Sequence, residues 1–213
     1  TAVRLVQLKK HGAKPILVAY GSAALETNLI ASDASDAADK LATVIKNLVK
    51  ESGVSTKNVV AALPASKIFT SVITTPKLSS TELAKAVRYQ ADQYIPMPID
   101  QVRLDYSVIG PGERENEQLV LLVAAPTITT EKYLTIFEKA GLDLVALEID
   151  TVALSRAVIT PDTGHVALLD IGNLASTVSL VVNGVPRLIH SVPVGAAAFM
   201  QAATQGLRGD ASE

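Results

Sequence analysis

The fold is decided by one stretch in the last quarter of the chain, Val166-Ala-Leu-Leu-Asp-Ile-Gly-Asn-Leu-Ala-Ser-Thr-Val-Ser-Leu-Val-Val182. It contains two strand-like apolar runs on either side of Asp170-Ile-Gly172, and Asn183-Gly184 then leads into a third run, Val185 to Val192. Asn-Gly between apolar runs is a strong signal for a two-residue hairpin turn. The pattern therefore predicts three consecutive strands, with Asp170 at the end of a buried one.

Asp170 and Gly172 are candidates for a phosphate and metal site. Gly172 permits a tight turn whose backbone N–H groups face a phosphate, and a carboxylate holds a magnesium ion through water. An Asp before a Gly at a strand end is, however, more often a simple turn. On this motif alone both interpretations stay open.

Composition favours an α/β protein and excludes several classes of function. The 213 residues are 48% hydrophobic with few aromatics, which suits strands alternating with helices. Nineteen basic and 21 acidic residues, with no long basic run, do not support nucleic-acid binding. The absence of Cys excludes disulfides, thiolate catalysis and Cys-ligated zinc. No apolar run approaches the ~20 residues that span a bilayer.

Hydrophobic periodicity predicts the order β-β-α-β-β-α-β-β-α-β-α, followed by β-β-β-α. The first helix is expected over Ser32 to Glu51, with Asp33 or Ser35 as its cap. The continuous apolar run Val59 to Leu63 predicts a central strand that is buried on both faces. The block from about Phe69 to Ala140 has its own element order, so the layout is either one compact domain or a nested one.

Two helix starts are marked by short-range signals. Ser79-Ser-Thr-Glu82 is a capping box, and it predicts a helix that runs to about Tyr94. Asp150 or Thr151 is expected to cap a short helix.

The chain begins at Thr1, directly in a strand-like run and without Met, and we expect it to be a piece of a longer protein.

Further segments carry a more specific pattern, and they read Ala-Leu-Pro-Ala-Ser-Lys-Ile-Phe-Thr-Ser-Val-Ile (62–73), Arg-Tyr-Gln-Ala-Asp-Gln-Tyr-Ile-Pro-Met-Pro (88–98), Leu-Asp-Tyr-Ser-Val-Ile-Gly (104–110), Leu-Leu-Val-Ala-Ala-Pro (121–126) and Asn-Gly-Val-Pro-Arg-Leu-Ile-His-Ser-Val-Pro-Val-Gly (183–195). Together with Asp-Ile-Gly and the helix that follows Glu148, they resemble the PilM family of actin-like proteins of type IV pilus assembly. The resemblance covers most of the chain. Related type II secretion proteins and the FtsA division proteins look similar at the level of the fold.

The resemblance implies an α/β, actin-like (ribonuclease H-like, FtsA-like) fold. Subdomain 1A would comprise residues 1–66 and 141–160, an inserted subdomain 1C residues 67–140, and part of subdomain 2A residues 161–213. The first phosphate loop and the adenosine-binding motif of the family would lie outside this chain.

The resemblance also implies ATP and magnesium in the intact protein, with neither bound tightly by this chain. Asp170 would hold magnesium, and Glu148 would orient magnesium or a water. Gly172, Asn173 and Ser176 would join Asp170 around the phosphates. Asn173 and Ala175 depart from the family pattern of a small residue and a hydroxyl residue. Losing a hydroxyl donor costs ~1 kcal/mol, so weakened or lost nucleotide binding is expected. Glu148 has a second interpretation, as a carboxylate stabilised at a helix N-terminus.

The implied partner is the N-terminal cytoplasmic peptide of the inner-membrane protein PilN, bound in a cleft between subdomains 1A and 1C. An extended peptide adds to a strand edge and inserts side chains into pockets. The hypothesised walls of the cleft are Ser66, Ile68, Phe69, Val72, Arg88, Tyr89 and Met97. The alternative for Arg88, Tyr89 and Tyr94 is a helix face and chain exit packed on the subdomain core.

The function implied is that of a cytoplasmic assembly protein at the inner face of the cytoplasmic membrane, coupling the membrane alignment complex to the pilus motor. The pilus motor ATPase and the platform protein would be further partners. The alternatives are an actin-superfamily ATP-binding protein or ATPase, and a cytoskeletal filament protein. The sequence shows no nucleophile–base pair, and His11, His165 and His190 lie at a turn or at strand margins, so at most a weak ATPase is expected.

Overall fold

A computed structural model describes residues 2–12, 14–25, 32 and 35–209, which form ten strands and five α-helices in the order predicted. Their bounds are β1 Ala2–His11, β2 Lys14–Ala24, α1 Ser35–Glu51, β3 Asn58–Leu63, β4 Phe69–Pro76, α2 Ser80–Ala91, β5 Val102–Pro111, β6 Glu117–Pro126, α3 Thr127–Lys139, β7 Asp143–Ile149, α4 Asp150–Val158, β8 His165–Ile171, β9 Ser176–Val182, β10 Val185–Val192 and α5 Ala196–Gly209. A 3₁₀ turn, Ala65–Lys67, lies between β3 and β4. The predicted cap Asp33 lies outside the described residues.

The chain divides into two compact units. The first comprises Thr1–Ala61 and Thr130–Leu147, and the second comprises Ala62–Thr129 and Glu148–Glu213. These boundaries differ from the predicted subdomain ranges, and the assignment of subdomains stays a prediction.

The first unit is built on a hairpin and two helices. β1 and β2 pair antiparallel, and β3 pairs with β7. Leu41, Ala42 and Ile45 of α1 pack against Ile136 and Ala140 at the end of α3. Burial of these apolar side chains, with each CH₂ group contributing about 0.8 kcal/mol, is what joins the two helices.

The predicted burial of β3 on both faces is wrong. Val60 is 58% exposed, and β3 alternates between exposed and half-buried residues. The physical reason is that β3 has a single neighbour, β7, among the described residues. A continuous apolar run therefore does not by itself establish a central strand.

The second unit contains an antiparallel sheet in the order β4-β6-β5. One face of this sheet carries Ile73, Val120, Leu122 and Ala124, and α2 covers that face with the apolar side chains Leu83, Val87 and Ala91. Phe69 and Met97 pack against the margin of the same cluster. Thr70, Val72 and Leu121 alternate to the opposite face, because successive side chains of a strand point to opposite sides.

The second unit also contains the three strands predicted near the end of the chain, in the order β10-β9-β8. Asn183 and Gly184 have φ angles of 52° and 78°, which confirms the predicted two-residue turn. β8 is an edge strand rather than the buried strand predicted, since Leu169 is 59% exposed and Asp170 is exposed as well. Burial in this sheet is instead concentrated in the central strand, β9.

The capping box at the start of α2 is confirmed. The Ser79 hydroxyl donates to a carboxylate oxygen of Glu82 at 2.6 Å, and the Ser79 N–H donates to the same oxygen at 3.0 Å. The helix ends at Ala91 rather than at Tyr94, and Tyr94 is 47% exposed instead of packed on the core. Asp150 is the first residue of α4, whose N-cap is Ile149.

The capping box makes the stability of α2 depend on pH. The hydrogen bond from the Ser79 side chain has the largest effect on the pKa of Glu82, followed by the bond from the Ser79 backbone N–H. Both hold this pKa below its ordinary value of 4.5. A lowered folded-state pKa contributes stability that is present above the unfolded value and is lost as the pH falls through the folded value. We expect Ser79→Ala to lower the free energy of unfolding at neutral pH, and this deficit to shrink in acid. Urea denaturation at neutral pH and well below pH 4.5 measures it, with Ser80→Ala as the control; an equal deficit at both pH values would contradict the prediction.

Candidate functional site

The loop after β8 is the place where sequence analysis puts a nucleotide. β8 ends at Ile171, and the Gly172 N–H donates to the Ala175 carbonyl at 2.9 Å, so the loop is a closed turn. Asp170 stands opposite Thr177 in the β8–β9 register and is exposed. The structure thus brings Asp170, Gly172, Asn173 and Ser176 together around one turn.

The N-terminus of α5 is bonded to this loop. The Ala196 N–H donates to the Gly172 carbonyl at 2.9 Å, and the Ala197 N–H donates to the Asn173 carbonyl at 3.0 Å. These N–H groups are among the four at a helix start that lack a partner inside the helix. The loop carbonyls therefore use donors that a helix N-terminus otherwise offers to an anion.

Gly195 makes this close approach possible. A Cβ at this position would lie 2.5 Å from the Gly172 carbonyl oxygen and 2.7 Å from the Asn173 carbonyl group. Both contacts involve backbone atoms, which do not move aside as a flexible side chain does. A residue without a side chain is thus required where α5 meets the loop.

The hydroxyl of Ser176 is also engaged inside the protein. The side chain is buried, and Oγ donates to the Val194 carbonyl at 2.6 Å. A hydroxyl has one proton to donate. As arranged, Ser176 and the start of α5 do not fit the role of phosphate donors, and the nucleotide assignment stays a prediction of the resemblance.

Glu148 is held by an ion pair. Its carboxylate accepts from the guanidinium of Arg156, in the last turn of α4, at 2.5 Å. A magnesium ion would compete with Arg156 for this carboxylate. Within the described residues, no group of three or more His, Asp or Glu side chains is arranged to hold a metal. The metal assignment of Asp170 and Glu148 also stays a prediction.

The 3₁₀ turn before β4 is anchored by Asp150. One oxygen of this carboxylate, Oδ1, accepts from the Ala65 N–H at 3.0 Å and from the Thr151 N–H at 2.6 Å. A carboxylate that accepts backbone N–H bonds is a strong link, because charge-assisted hydrogen bonds are shorter and stronger than neutral ones. Asp150 therefore fixes the start of α4 to the turn that carries Ser66 and leads into Ile68.

The structure divides the hypothesised partner residues between two faces of the β4-β6-β5 sheet. Ser66 is exposed on the 3₁₀ turn, and Ile68 is buried beside it. Val72 lies on the face opposite α2. Arg88 and Tyr89 point to solvent from α2, and Tyr89 is 80% exposed. These residues do not form one continuous wall.

A groove lies on the face opposite α2, between β4 and β10. Its volume is about 240 Å³, and it is lined by Thr70, Ser71, Val72, Leu121, Pro186, Arg187, Leu188 and Ile189. β4 pairs only with β6, and β10 only with β9, in the part of the chain that the structure describes. Two strand edges therefore border the groove; we call it the β4/β10 groove.

Sequence analysis missed the β10 side of this groove. The signal available was Arg187, which stands within the otherwise apolar run Val185 to Ile189, directly after Pro186. Proline inside a sheet is confined to edge strands and bulges. The β9–β10 register is indeed irregular between Pro186 and Leu188.

A family model and one solved structure both relate this chain to one family. The family model for the type IV pilus assembly protein PilM matches residues 1–191. A solved chain of the "PilM-PilN type IV pilus biogenesis complex" is similar with a TM-score of 0.82 and 26% sequence identity, and the match covers 97% of this chain and 63% of that one. The present chain thus spans less than two thirds of the length of that relative.

A second solved structure supports the same fold. It is the cytoplasmic domain of EpsL, an inner membrane component of the type II secretion system of Vibrio cholerae, with a TM-score of 0.54 and 17% identity over 90% of this chain and 66% of that one. The fold is α/β and actin-like, as predicted. No helix among the described residues is long and apolar enough to cross a membrane.

The junction of α5 with the loop gives a stability prediction. We expect Gly195→Ala to lower the free energy of unfolding by about 1–3 kcal/mol, the usual cost of forcing extra atoms into a packed site. Thermal unfolding followed by circular dichroism measures this. Val194→Ala, which changes an exposed neighbouring side chain, is the control. Equal stability of the two variants would contradict the close approach of Gly195 to the carbonyl groups of Gly172 and Asn173.

Proposed function

The chain belongs to the family of the type IV pilus assembly protein PilM, and from this premise we propose that it binds the N-terminal cytoplasmic peptide of PilN and so couples the membrane alignment complex to the pilus motor. The observation that carries the proposal is the similarity to a chain of the PilM-PilN complex over 97% of the present chain. Through PilN the protein would be held at the inner face of the cytoplasmic membrane, with the motor ATPase and the platform protein as further partners.

We propose the β4/β10 groove as the peptide site. Its lining residues fall in the predicted ranges of subdomains 1C and 2A, so this proposal departs from the cleft between 1A and 1C that the resemblance implies. Two strand edges border it, and an extended peptide finds both main-chain partners and side-chain pockets at such an edge. The floor includes Val72 and Leu121, which supply apolar surface to bury. This choice retains Val72 from the hypothesised set, with Ser66 and Ile68 in the segment before β4. It leaves Phe69, Arg88, Tyr89 and Met97 on the side of the sheet where α2 lies.

The proposed binding does not require a nucleotide. Two donors expected to face phosphates are engaged inside the protein, since the Ser176 hydroxyl donates to the Val194 carbonyl and the Gly172 N–H to the Ala175 carbonyl. The groove is bordered by β4 and β10 rather than by that loop. Peptide binding is therefore proposed as the primary activity. ATP and magnesium remain predicted ligands of the longer protein.

Isothermal titration with a synthetic N-terminal peptide of PilN from the same organism tests the proposal. We expect saturable binding without nucleotide, and a dissociation constant that Mg·ATP does not change. Val72→Lys should raise the dissociation constant at least tenfold, about 1.4 kcal/mol, because it places a charged side chain in the groove. Tyr89→Ala, at a solvent-exposed position of α2, is the control.

Two outcomes of this titration would contradict the proposal. If the wild-type chain is folded by circular dichroism and does not bind the peptide, the proposed function is wrong for this chain. If Tyr89→Ala abolishes binding while Val72→Lys has no effect, the peptide lies on α2 and the assignment to the groove is wrong.

A further inference from the structure

The hairpin of β1 and β2 has one face that the described part of the chain leaves open to solvent. Residues that stand opposite each other in an antiparallel pair lie on the same face, so the pairs Val6–Tyr20 and Leu8–Leu17 form one apolar cluster. Val6 is 67% exposed and Tyr20 is 73% exposed, and both leucines are more than half exposed. We call these four residues the hairpin patch. Contiguous exposed apolar side chains mark interaction sites, whereas single ones are ordinary.

The other face of the hairpin is the one that the core of the first unit uses. Gly21 stands opposite Leu5 in the register, and a Cβ at Gly21 would lie 2.9 Å from the Leu48 side chain of α1. Val3 packs against the cluster that joins α1 and α3. Because successive side chains of a strand alternate between faces, the hairpin patch points away from α1. The patch is therefore left over after the local core has formed.

Positive charge surrounds the hairpin patch. Residues 1–25 contain none of the 21 acidic residues of the chain and four of its 19 basic ones, which are Arg4, Lys9, Lys10 and Lys14. All four are exposed, and none of them is paired with a carboxylate among the described residues. Arg4 and Lys10 lie on the same face as the patch, one at each end of it.

An apolar patch framed by lysines fits an anionic lipid surface better than it fits an acidic protein or a nucleic acid. Lys is depleted at protein interfaces, but at a membrane its stem lies on apolar surface while its ammonium group stays among the headgroups. Tyr is enriched where a bilayer meets water. Apolar side chains gain free energy at the acyl boundary, and the phosphate backbone of a nucleic acid offers them no such surface.

We propose that the hairpin patch and its four cations dock the protein directly on an anionic phospholipid surface. The patch would enter the boundary between headgroups and acyl chains, and the cations would lie among the lipid phosphates. A contact of this size is weak and reversible, and stable attachment takes a second signal. The inference goes beyond the proposed function and does not depend on it, because the β4/β10 groove takes no part in the contact.

Flotation of the wild-type chain with lipid vesicles tests the proposal. We expect the chain to float with vesicles that mix phosphatidylglycerol and phosphatidylcholine, and not with vesicles of phosphatidylcholine alone. Lys9→Gln combined with Lys10→Gln should lower the partition coefficient at least about tenfold, because each cation near an anionic surface contributes about fivefold. Lys46→Gln combined with Lys50→Gln removes the same charge from exposed positions of α1. This matched control should change the partition coefficient little, since charges beyond a Debye length from the surface are screened.

A fluorescent probe reports whether the patch enters the lipid. The chain has no Trp, so Tyr20→Trp places a single indole in the hairpin patch. Its emission should shift to shorter wavelength with phosphatidylglycerol vesicles, and lipids brominated on the acyl chains should quench it. Tyr89→Trp, at an exposed position of α2, is the control and should show neither change.

Removing the apolar side chains tests the patch without changing the charge. Val6→Ser combined with Leu8→Ser should lower the partition coefficient for phosphatidylglycerol vesicles, while Val145→Ser, at an exposed position of β7, should not. Circular dichroism checks that the variants are folded. Should the double serine variant fail to fold, the emission of Tyr20→Trp carries this part of the test.

Four results would overturn the inference. The first is equal binding of the wild-type chain to both kinds of vesicle, or binding to neither. The second is an equal loss from the lysine pairs of the hairpin and of α1, which would show an effect of net charge alone. The third is binding to heparin, a polyanion without acyl chains, as tight as binding to the vesicles, with neither changed by Val6→Ser combined with Leu8→Ser; the partner would then be an acidic macromolecule.

The fourth result concerns a second copy of the chain. If the wild-type chain binds no vesicles but self-associates in sedimentation, and Val6→Ser combined with Leu8→Ser abolishes this, the patch is an interface between copies. Each of the four results leaves the proposed binding of PilN standing. Failure of the peptide titration, in turn, leaves vesicle binding standing, so the two proposals fail separately.

Discussion

Alternation along β4 is the constraint on which the partner surface depends. Ile73 points into the cluster that α2 covers, while Thr70 and Val72 point to the other face. Ile73 and Val72 therefore lie on opposite faces of the sheet, since successive side chains of a strand alternate. The hydrophobic core that holds the sheet to α2 therefore also decides which face is left to line the β4/β10 groove.

A single carboxylate, that of Asp150, holds one end of the β4/β10 groove in place. Asp150 bonds the Ala65 N–H and so fixes the turn from which β4 starts. Because the turn and the strand are continuous, the position of β4 relative to α4 is set by this bond. Binding sites are most precise when rigid elements carry them, and a groove bordered by two strands with an anchored start meets that condition.

Sequence analysis succeeded where the deciding interactions are local. The Asn183-Gly184 turn and the Ser79–Glu82 capping box depend on residues at most three positions apart, and both are present. The order of the elements follows from periodicity, which is also local. The actin-like fold was predicted from the resemblance, and the structural neighbours agree with it.

Burial and hydrogen-bond partners could not be predicted in the same way. Val60 and Leu169 lie in apolar runs but are exposed, because each strand has only one neighbour among the described residues. Ser176 was expected to face a phosphate, yet its hydroxyl bonds a carbonyl 18 residues further along the chain. Such contacts depend on how distant segments fold together, and no local pattern encodes them.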